Sequence, residues 1–129
     1  LGYAGLGVGL LVAAARAAGV DLRSAVPVHL IAMAGFSVLI IGMVTRTALG
    51  HLGRALVVDR SMVASYGCVI AAAALRLVAL WPSEFSLPAL RVSALAWAVG
   101  FALYLWRFAP WLIRPRVDVA GRVTLVRPA

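Results

Sequence analysis

Four long apolar runs, separated by short polar connections, constrain this chain more than any other feature of its sequence. They cover about residues 2–19, 26–49, 62–81 and 90–113. Each is close to the roughly 20 residues that an α-helix needs to cross about 30 Å of hydrocarbon. The runs are continuous and do not alternate with a period of two, which favours helices over the strands of a membrane barrel. The sequence therefore predicts an all-α fold, a polytopic transmembrane helix bundle with about four spanning helices.

The composition indicates that lipid surrounds these runs. Of the 129 residues, 64% are hydrophobic and 12% are charged, whereas soluble domains carry about 25% charged residues. A small soluble fold buries too little of its surface to hide so many apolar side chains. The first apolar run starts at once, at Leu1, without an initiator Met. We therefore expect the chain to be the C-terminal portion of a larger membrane protein, whose preceding helices pack against it.

The twelve basic residues are all arginine, and they give the chain a net charge of +8. They stand at the ends of the apolar runs, where they can anchor to lipid headgroups and set the orientation. Because this arrangement offers no solvated basic face, we expect no binding of nucleic acid. Eight arginines fall in or beside the connection after the second run or at the C-terminal end, and four fall on the other side. The positive-inside rule therefore predicts that this connection and the C-terminus are cytoplasmic.

The second run carries the side chains with the most suggestive chemistry. His29 lies near its predicted outer end, and Met33 follows one helical turn later. At about 100° per residue, this helical stripe continues through Phe36, Ile40, Met43 and Thr47. Imidazole and thioether groups are ligands for haem iron and for copper. The alternative is a core histidine bonded to a neighbouring helix, with methionine filling a gap, and the spacing alone leaves both interpretations open.

The other end of the second run carries Arg46, His51 and Arg54. Arg46 is near enough to the boundary to extend its side chain to the headgroups, or it can turn inward toward an anion such as a haem propionate. The two histidines are 22 residues apart, which is about 33 Å along a continuous helix. They cannot ligate the same metal, so a second histidine ligand for either site has to come from other sequence or another subunit.

These residues resemble the NnrS family of bacterial membrane proteins. The resemblance rests on His29, Gly35, Met43-Val-Thr-Arg46 and Leu49-Gly-His-Leu-Gly-Arg54, and on a second, distant stretch in the same order. That stretch comprises Phe101, Arg107-Phe-Ala-Pro110, Leu112, Arg114-Pro-Arg116, Asp118 and Gly121. One departure is that the family usually has His-Thr-Gly-Arg where this chain has His51-Leu52-Gly53-Arg54, which removes a hydroxyl that could bind a ligand.

The resemblance implies a multi-pass protein of the bacterial inner membrane that contains haem (b-type) and copper. It also implies a role in nitric oxide metabolism and in resistance to nitrosative stress, and it leaves open whether the protein catalyses a reaction. His29 and His51 become candidates for metal or haem ligation, with Met33 beside His29. Arg46 and Arg54 become candidates for pairing with propionates or another anion.

Two other functions are compatible with the same residues. Gly2, Gly5 and Gly9 form a glycine face on the first helix, which can let another helix approach closely, and Gly35 and Gly42 form one on the second. A cofactor-free transporter or channel bundle would use the intramembrane arginines and these glycine faces to line a path. A packing module would use every polar residue only as an anchor.

Overall fold

The computed structural model describes residues 1–113, so Arg114, Arg116, Asp118 and Gly121 lie outside the described part of the chain, together with the C-terminal arginines that follow. The described part contains four helices: α1 (Gly2–Ala17), α2 (Ala25–His51), α3 (Arg60–Val78) and α4 (Ser86–Leu112). Helices α2, α3 and α4 are long and apolar enough to cross a membrane, while α1 is a shorter apolar helix of 16 residues. The predicted all-α helical bundle is confirmed.

Glycine ends the first two helices in the same way. Gly19 and Gly53 have positive φ angles of 96° and 66°, a conformation that glycine adopts without a steric penalty. After α2, the N–H of Gly53 donates to Gly50 and the N–H of Arg54 donates to Leu49. This pair of bonds is the Schellman motif, and it satisfies carbonyls that a helix end otherwise leaves without partners.

Helix α2 is not α-helical throughout. The segment Leu30–Ser37 is a π-helix, flanked by α-helical turns at Ala25–His29 and at Val38–His51. We call Leu30–Ser37 the π segment. A π-helix has more residues per turn than an α-helix and is often found at functional sites. Compared with a regular α-helix, the π segment therefore changes the angle about the helix axis between side chains that precede it and side chains that follow it.

Helix α1 packs antiparallel against α2 through three glycines. A Cβ atom on Gly2 would lie 2.7 Å from a side-chain atom of Leu39, and one on Gly9 would lie 2.6 Å from Ile31. At Gly5, a Cβ atom would overlap the backbone carbonyl of Ala34. Small residues allow such close approach of two helix backbones in a bilayer, so the Gly2, Gly5 and Gly9 spacing serves helix packing.

Two buried serines join α3 to α4. The hydroxyl of Ser65 donates to the carbonyl of Gly100 at 2.7 Å, and the hydroxyl of Ser93 donates to Ala72 at 2.7 Å. A Cβ atom on Gly100 would lie 2.9 Å from the side chain of Val69. Polar side chains hydrogen-bonded between helices hold membrane bundles together, at about 0.6 kcal/mol each on average.

Three local details determine where the helices begin, end and pack. Serine and aspartate are both common N-caps, and α3 begins at Arg60 and is capped by the Asp59 carboxylate, not by Ser61. Pro110 lies inside α4, and the helix ends two residues later at Leu112. Gly42 faces open space, whereas Gly35 packs against Leu6, so only one of these two glycines supports a packed neighbour.

Replacing Gly5 with alanine is expected to destabilise the bundle, because the added methyl group would meet the Ala34 backbone, which cannot move aside alone. Overpacking of this kind typically costs about 1–3 kcal/mol. Gly7→Ala is the matched control, since a Cβ atom there meets nothing within 4 Å. Thermal unfolding of the detergent-purified protein should show a lower midpoint for Gly5→Ala only. Equal midpoints for the two variants would contradict the close packing of α1 on α2.

Candidate functional site

The imidazole of His29 is held by its own helix. Its Nδ1 atom lies 2.8 Å from the carbonyl oxygen of Ala25. Because a carbonyl oxygen can only accept a hydrogen bond, Nδ1 carries the proton and donates it. In the neutral ring, the lone pair is then on Nε2, the atom that points away from this bond. Metal-ligating histidines are commonly oriented by this kind of bond to a backbone carbonyl.

The π segment begins immediately after His29 and is tied to α4. The hydroxyl of Ser37 donates to the Ala32 carbonyl at 3.1 Å and accepts a bond from the indole Nε1–H of Trp97 at 3.3 Å. Ser37 is buried. A chain of two hydrogen bonds therefore connects the last helix to the wide turns that follow His29.

Met33 lies within the π segment and is half-buried, as is His29. The predicted stripe assumed regular α-helical steps from His29 onward. Its later members, Phe36, Ile40 and Met43, are exposed. The stripe is therefore divided into a half-buried upper part and an exposed lower part, and the π segment lies where the two parts meet.

Arg46 lies at a junction of three cavities. One cavity of about 330 Å³ has Leu49 and Tyr66 in its wall, and a second of about 460 Å³ has His51 in its wall. A third, of about 510 Å³, extends along α2 toward Tyr3. Arg46 itself is exposed, so its guanidinium group is accessible to an anion from outside the described helices.

His51 is the last residue of α2, and it is exposed. Since α2 is one continuous helix from Ala25 to His51, the two histidines lie near opposite ends of it. This agrees with the expectation that they cannot share a metal. Within residues 1–113, no group of three or more His, Cys, Asp or Glu side chains is placed to hold a metal ion.

The guanidinium group of Arg54 stacks on an aromatic ring. Its guanidinium carbon lies 3.8 Å from the ring centroid of Trp111, and that of Arg107 lies 3.6 Å from the same centroid. Cation–π contacts of this kind are worth roughly 0.5–1 kcal/mol at exposed sites. Arg54 therefore attaches the connection between α2 and α3 to the end of α4.

Asp59 completes this assembly. One carboxylate oxygen accepts the Nε–H of Arg107 at 2.6 Å. The other accepts the Ser61 hydroxyl at 2.6 Å and the Met62 backbone N–H at 2.9 Å. Partial burial tends to raise the pKa of Asp59, but the hydrogen bonds and the positive charge of Arg107 outweigh it. Together they lower the pKa from 3.8 to about 2.

The candidate residues lie toward the two ends of α2. His29 and Met33 lie at one end of α2, whereas Arg46, His51 and Arg54 lie at the other. Arg46 and His51 share a cavity wall, while Arg54 stacks on Trp111.

Sequence reasoning missed the π segment and the Asp59–Arg107–Trp111 assembly. Asp59 carried a usable signal, since aspartate is as good an N-cap as serine. No sequence signal pairs Asp59 with Arg107, which is 48 residues away.

Comparison with protein families gives one result that covers this whole arrangement. The family described as NnrS protein matches residues 1–116 of the 129. The chain belongs to the NnrS family. Comparison with curated proteins and with solved structures gave no match.

Membership of the NnrS family confirms the resemblance, and the apolar helices identify an NnrS-type membrane protein. The matched residues include His29, Met33, Arg46, His51 and Arg54. Every candidate position therefore lies within the residues that the family matches.

Replacing Asp59 with asparagine is expected to remove a pH-dependent part of the stability while keeping the cap, because asparagine also caps helices well. The folded pKa of about 2 is below the ordinary 3.8, so this stabilisation is complete above pH 3.8. It declines as the pH falls and is lost below about 2. Since both side chains are about a third exposed, it amounts to about 1 kcal/mol or less.

Thermal midpoints of the wild type and Asp59→Asn in detergent, compared between pH 5 and pH 2, measure this effect. The difference between the two proteins should shrink as the pH falls through that range. Glu84→Gln, in the connection before α4, is the control, and it should follow the wild type. A wild-type advantage over Asp59→Asn that stays constant down to pH 2 would refute the ion pair.

Proposed function

We propose that this NnrS-family chain forms part of a haem- and copper-containing membrane protein that acts in nitric oxide metabolism and in resistance to nitrosative stress. His29 is the proposed axial ligand of a b-type haem. The observation that supports this assignment most strongly is the hydrogen bond from His29 Nδ1 to the Ala25 carbonyl at 2.8 Å. It leaves Nε2 as the atom with a lone pair, which is the form of imidazole that binds a metal.

The residues of this chain would supply one ligand to a haem, from one side of its iron. His29 offers a single oriented nitrogen, and the other histidine within residues 1–113, His51, lies at the opposite end of α2. Met33, one turn further along α2, is proposed to lie near the haem edge, where a polarisable thioether packs well against a ring. A second protein ligand, where the metal takes one, would have to come from outside residues 1–113 or from another subunit.

The depth of His29 suits such a site. Helix α2 has 27 residues and is roughly 40 Å long at 1.5 Å per residue, which is close to the thickness of a bilayer with its headgroups. His29 is the fifth residue of the helix, about 6 Å from its end. The imidazole would therefore lie near the boundary between hydrocarbon and headgroups.

The location in the bacterial inner membrane with a cytoplasmic C-terminus is part of the same proposal. The described arginines divide evenly, with Arg46, Arg54, Arg60 and Arg107 at one side and Arg16, Arg23, Arg76 and Arg91 at the other. The excess that sets the orientation comes from arginines after residue 113. When the side with more arginines is placed in the cytoplasm, His29 lies near the outer face of the membrane.

The metal centre would supply the affinity for nitric oxide, and His29 would hold that centre at a fixed depth. The assignment predicts that His29→Ala in the full-length protein loses most of its bound haem, because the metal loses its oriented ligand. His51→Ala is the matched control, since His51 is at the opposite end of α2 and exposed. The measurement is the Soret absorbance and the haem and copper content per protein, with thermal midpoints to check folding.

The outcomes distinguish the competing functions. Full haem and copper content in a folded His29→Ala protein would exclude His29 as a ligand. Loss of haem only in His51→Ala would move the haem to the other end of α2. A wild-type protein without a Soret band or copper would favour the cofactor-free transporter or channel. Survival of a deletion strain under nitric oxide tests the role in nitrosative stress.

A further inference from the structure

The connection between α2 and α3 is unusually apolar for a segment outside the helices. Leu56, Val57 and Val58 are consecutive, and their exposed fractions are 58%, 68% and 55%. We call Leu56–Val58 the apolar loop. Contiguous exposed apolar residues mark contact with a membrane or with another protein. The Arg54 stack on Trp111 and the Asp59 cap hold the two ends of this loop against α4 and α3.

Two cavities beside the apolar loop meet at Arg46. Both have Leu56 and Arg46 in their walls. The first continues between Leu49, Val58 and Tyr66, and is largely apolar. The second opens beside His51 at the end of α2. Both cavities are largely apolar in their lining, and the exposed guanidinium group of Arg46 lies where they meet.

The depth of Arg46 matches the phosphate level of a bilayer. Arg46 is five residues before the last residue of α2, which is about 7.5 Å along the helix axis. In a helix of roughly 40 Å across a hydrocarbon core of about 30 Å, this position is just inside the hydrocarbon boundary. An arginine there extends its guanidinium group outward to the headgroups.

The nearby charges leave a positive excess for an external anion. Asp59 is paired with Arg107, and Arg54 is stacked on Trp111. Arg46 has no such partner among the described contacts of residues 1–113, and it lines both cavities. A phosphate would complement its charge, and an arginine binds phosphate through paired hydrogen bonds.

We propose that Arg46 and the apolar loop bind one anionic phospholipid, with the phosphate at Arg46 and the first part of an acyl chain between Leu49, Leu56 and Tyr66. A free phosphate would not use the apolar wall of the first cavity or the apolar loop. A docked helix would favour small residues at its contact, as at Gly5 between α1 and α2, whereas Leu49, Leu56 and Tyr66 line the first cavity. The site is independent of a haem at His29.

The experiment is native mass spectrometry of the full-length protein in mild detergent, titrated with phosphatidylglycerol or with phosphatidylcholine of the same acyl chains. The wild type should bind the first phosphatidylglycerol more tightly. Arg46→Gln should weaken this binding about fivefold, since a basic residue near an anionic headgroup is worth roughly 1 kcal/mol. Arg46→Lys should retain most of it. Arg91→Gln, an exposed arginine at the start of α4, should leave it unchanged.

A second pair of variants tests the apolar wall. Leu56→Asn should weaken phosphatidylglycerol binding, while Val57→Asn should leave it within about twofold, because Leu56 lines both cavities and Val57 lines neither. A change of about twofold in affinity corresponds to less than about 0.5 kcal/mol of binding free energy. Circular dichroism and thermal midpoints should show that all variants remain folded.

Three results would overturn the proposal. Equal losses of phosphatidylglycerol affinity in Arg46→Gln and Arg91→Gln would mean that the lipid is attracted by the overall positive charge of the protein and not by Arg46. Displacement of phosphatidylglycerol by millimolar inorganic phosphate, together with no effect of Leu56→Asn, would mean a free-anion site. Equal affinities of the wild type for the two lipids would mean that Arg46 recognises no lipid charge, as expected if another helix covers these cavities.

Discussion

Hydrocarbon offers no hydrogen-bond partners, and much of this bundle follows from the need to satisfy polar groups without water. Ser65 and Ser93 use their hydroxyls on carbonyls of the neighbouring helix. Ser37 bonds the Ala32 carbonyl five residues back, within the π segment. Where the helices end, Gly53 turns the backbone so that orphan carbonyls receive N–H groups. Each of these bonds gives a polar group a partner inside the protein, so that it does not face hydrocarbon unpaired.

The same constraint explains how charge is distributed at the end of the bundle shared by His51 and Leu112. Asp59 is acceptable at this boundary because it receives bonds from Arg107, Ser61 and the start of α3. Arg107 in turn faces the ring of Trp111 and shares it with Arg54. Arg107 thus contacts a carboxylate and an aromatic ring, and Arg54 contacts the same ring. The connection between α2 and α3 is held by side chains, which keeps the apolar loop and the cavities at Arg46 in a defined place.

The parts of this structure that the sequence predicts are those governed by local patterns. Long apolar runs predict the helical bundle, and the spacing of Gly2, Gly5 and Gly9 predicts a close helix contact, since both depend on residue types along one segment. The π segment could not be predicted, because its residues read as an ordinary apolar helix and its wide turns are fixed by Ser37 and Trp97, 60 residues apart. The Asp59–Arg107 pair also depends on how α3 and α4 meet.

The π segment also bears on how the two ends of α2 relate to each other. His29 precedes it and Arg46 follows it, so its wide turns set the angle between the faces that carry these side chains. A regular helix would align His29 with Met43, as the 100° stripe assumed, whereas here Met43 is exposed and His29 is half-buried. The hydrogen bond from Trp97 to Ser37 fixes this wide turn from the outside. The contact of α4 with Ser37 therefore acts on the segment that separates the His29 end of α2 from the Arg46 end, although Ser37 and Trp97 lie 60 residues apart in sequence.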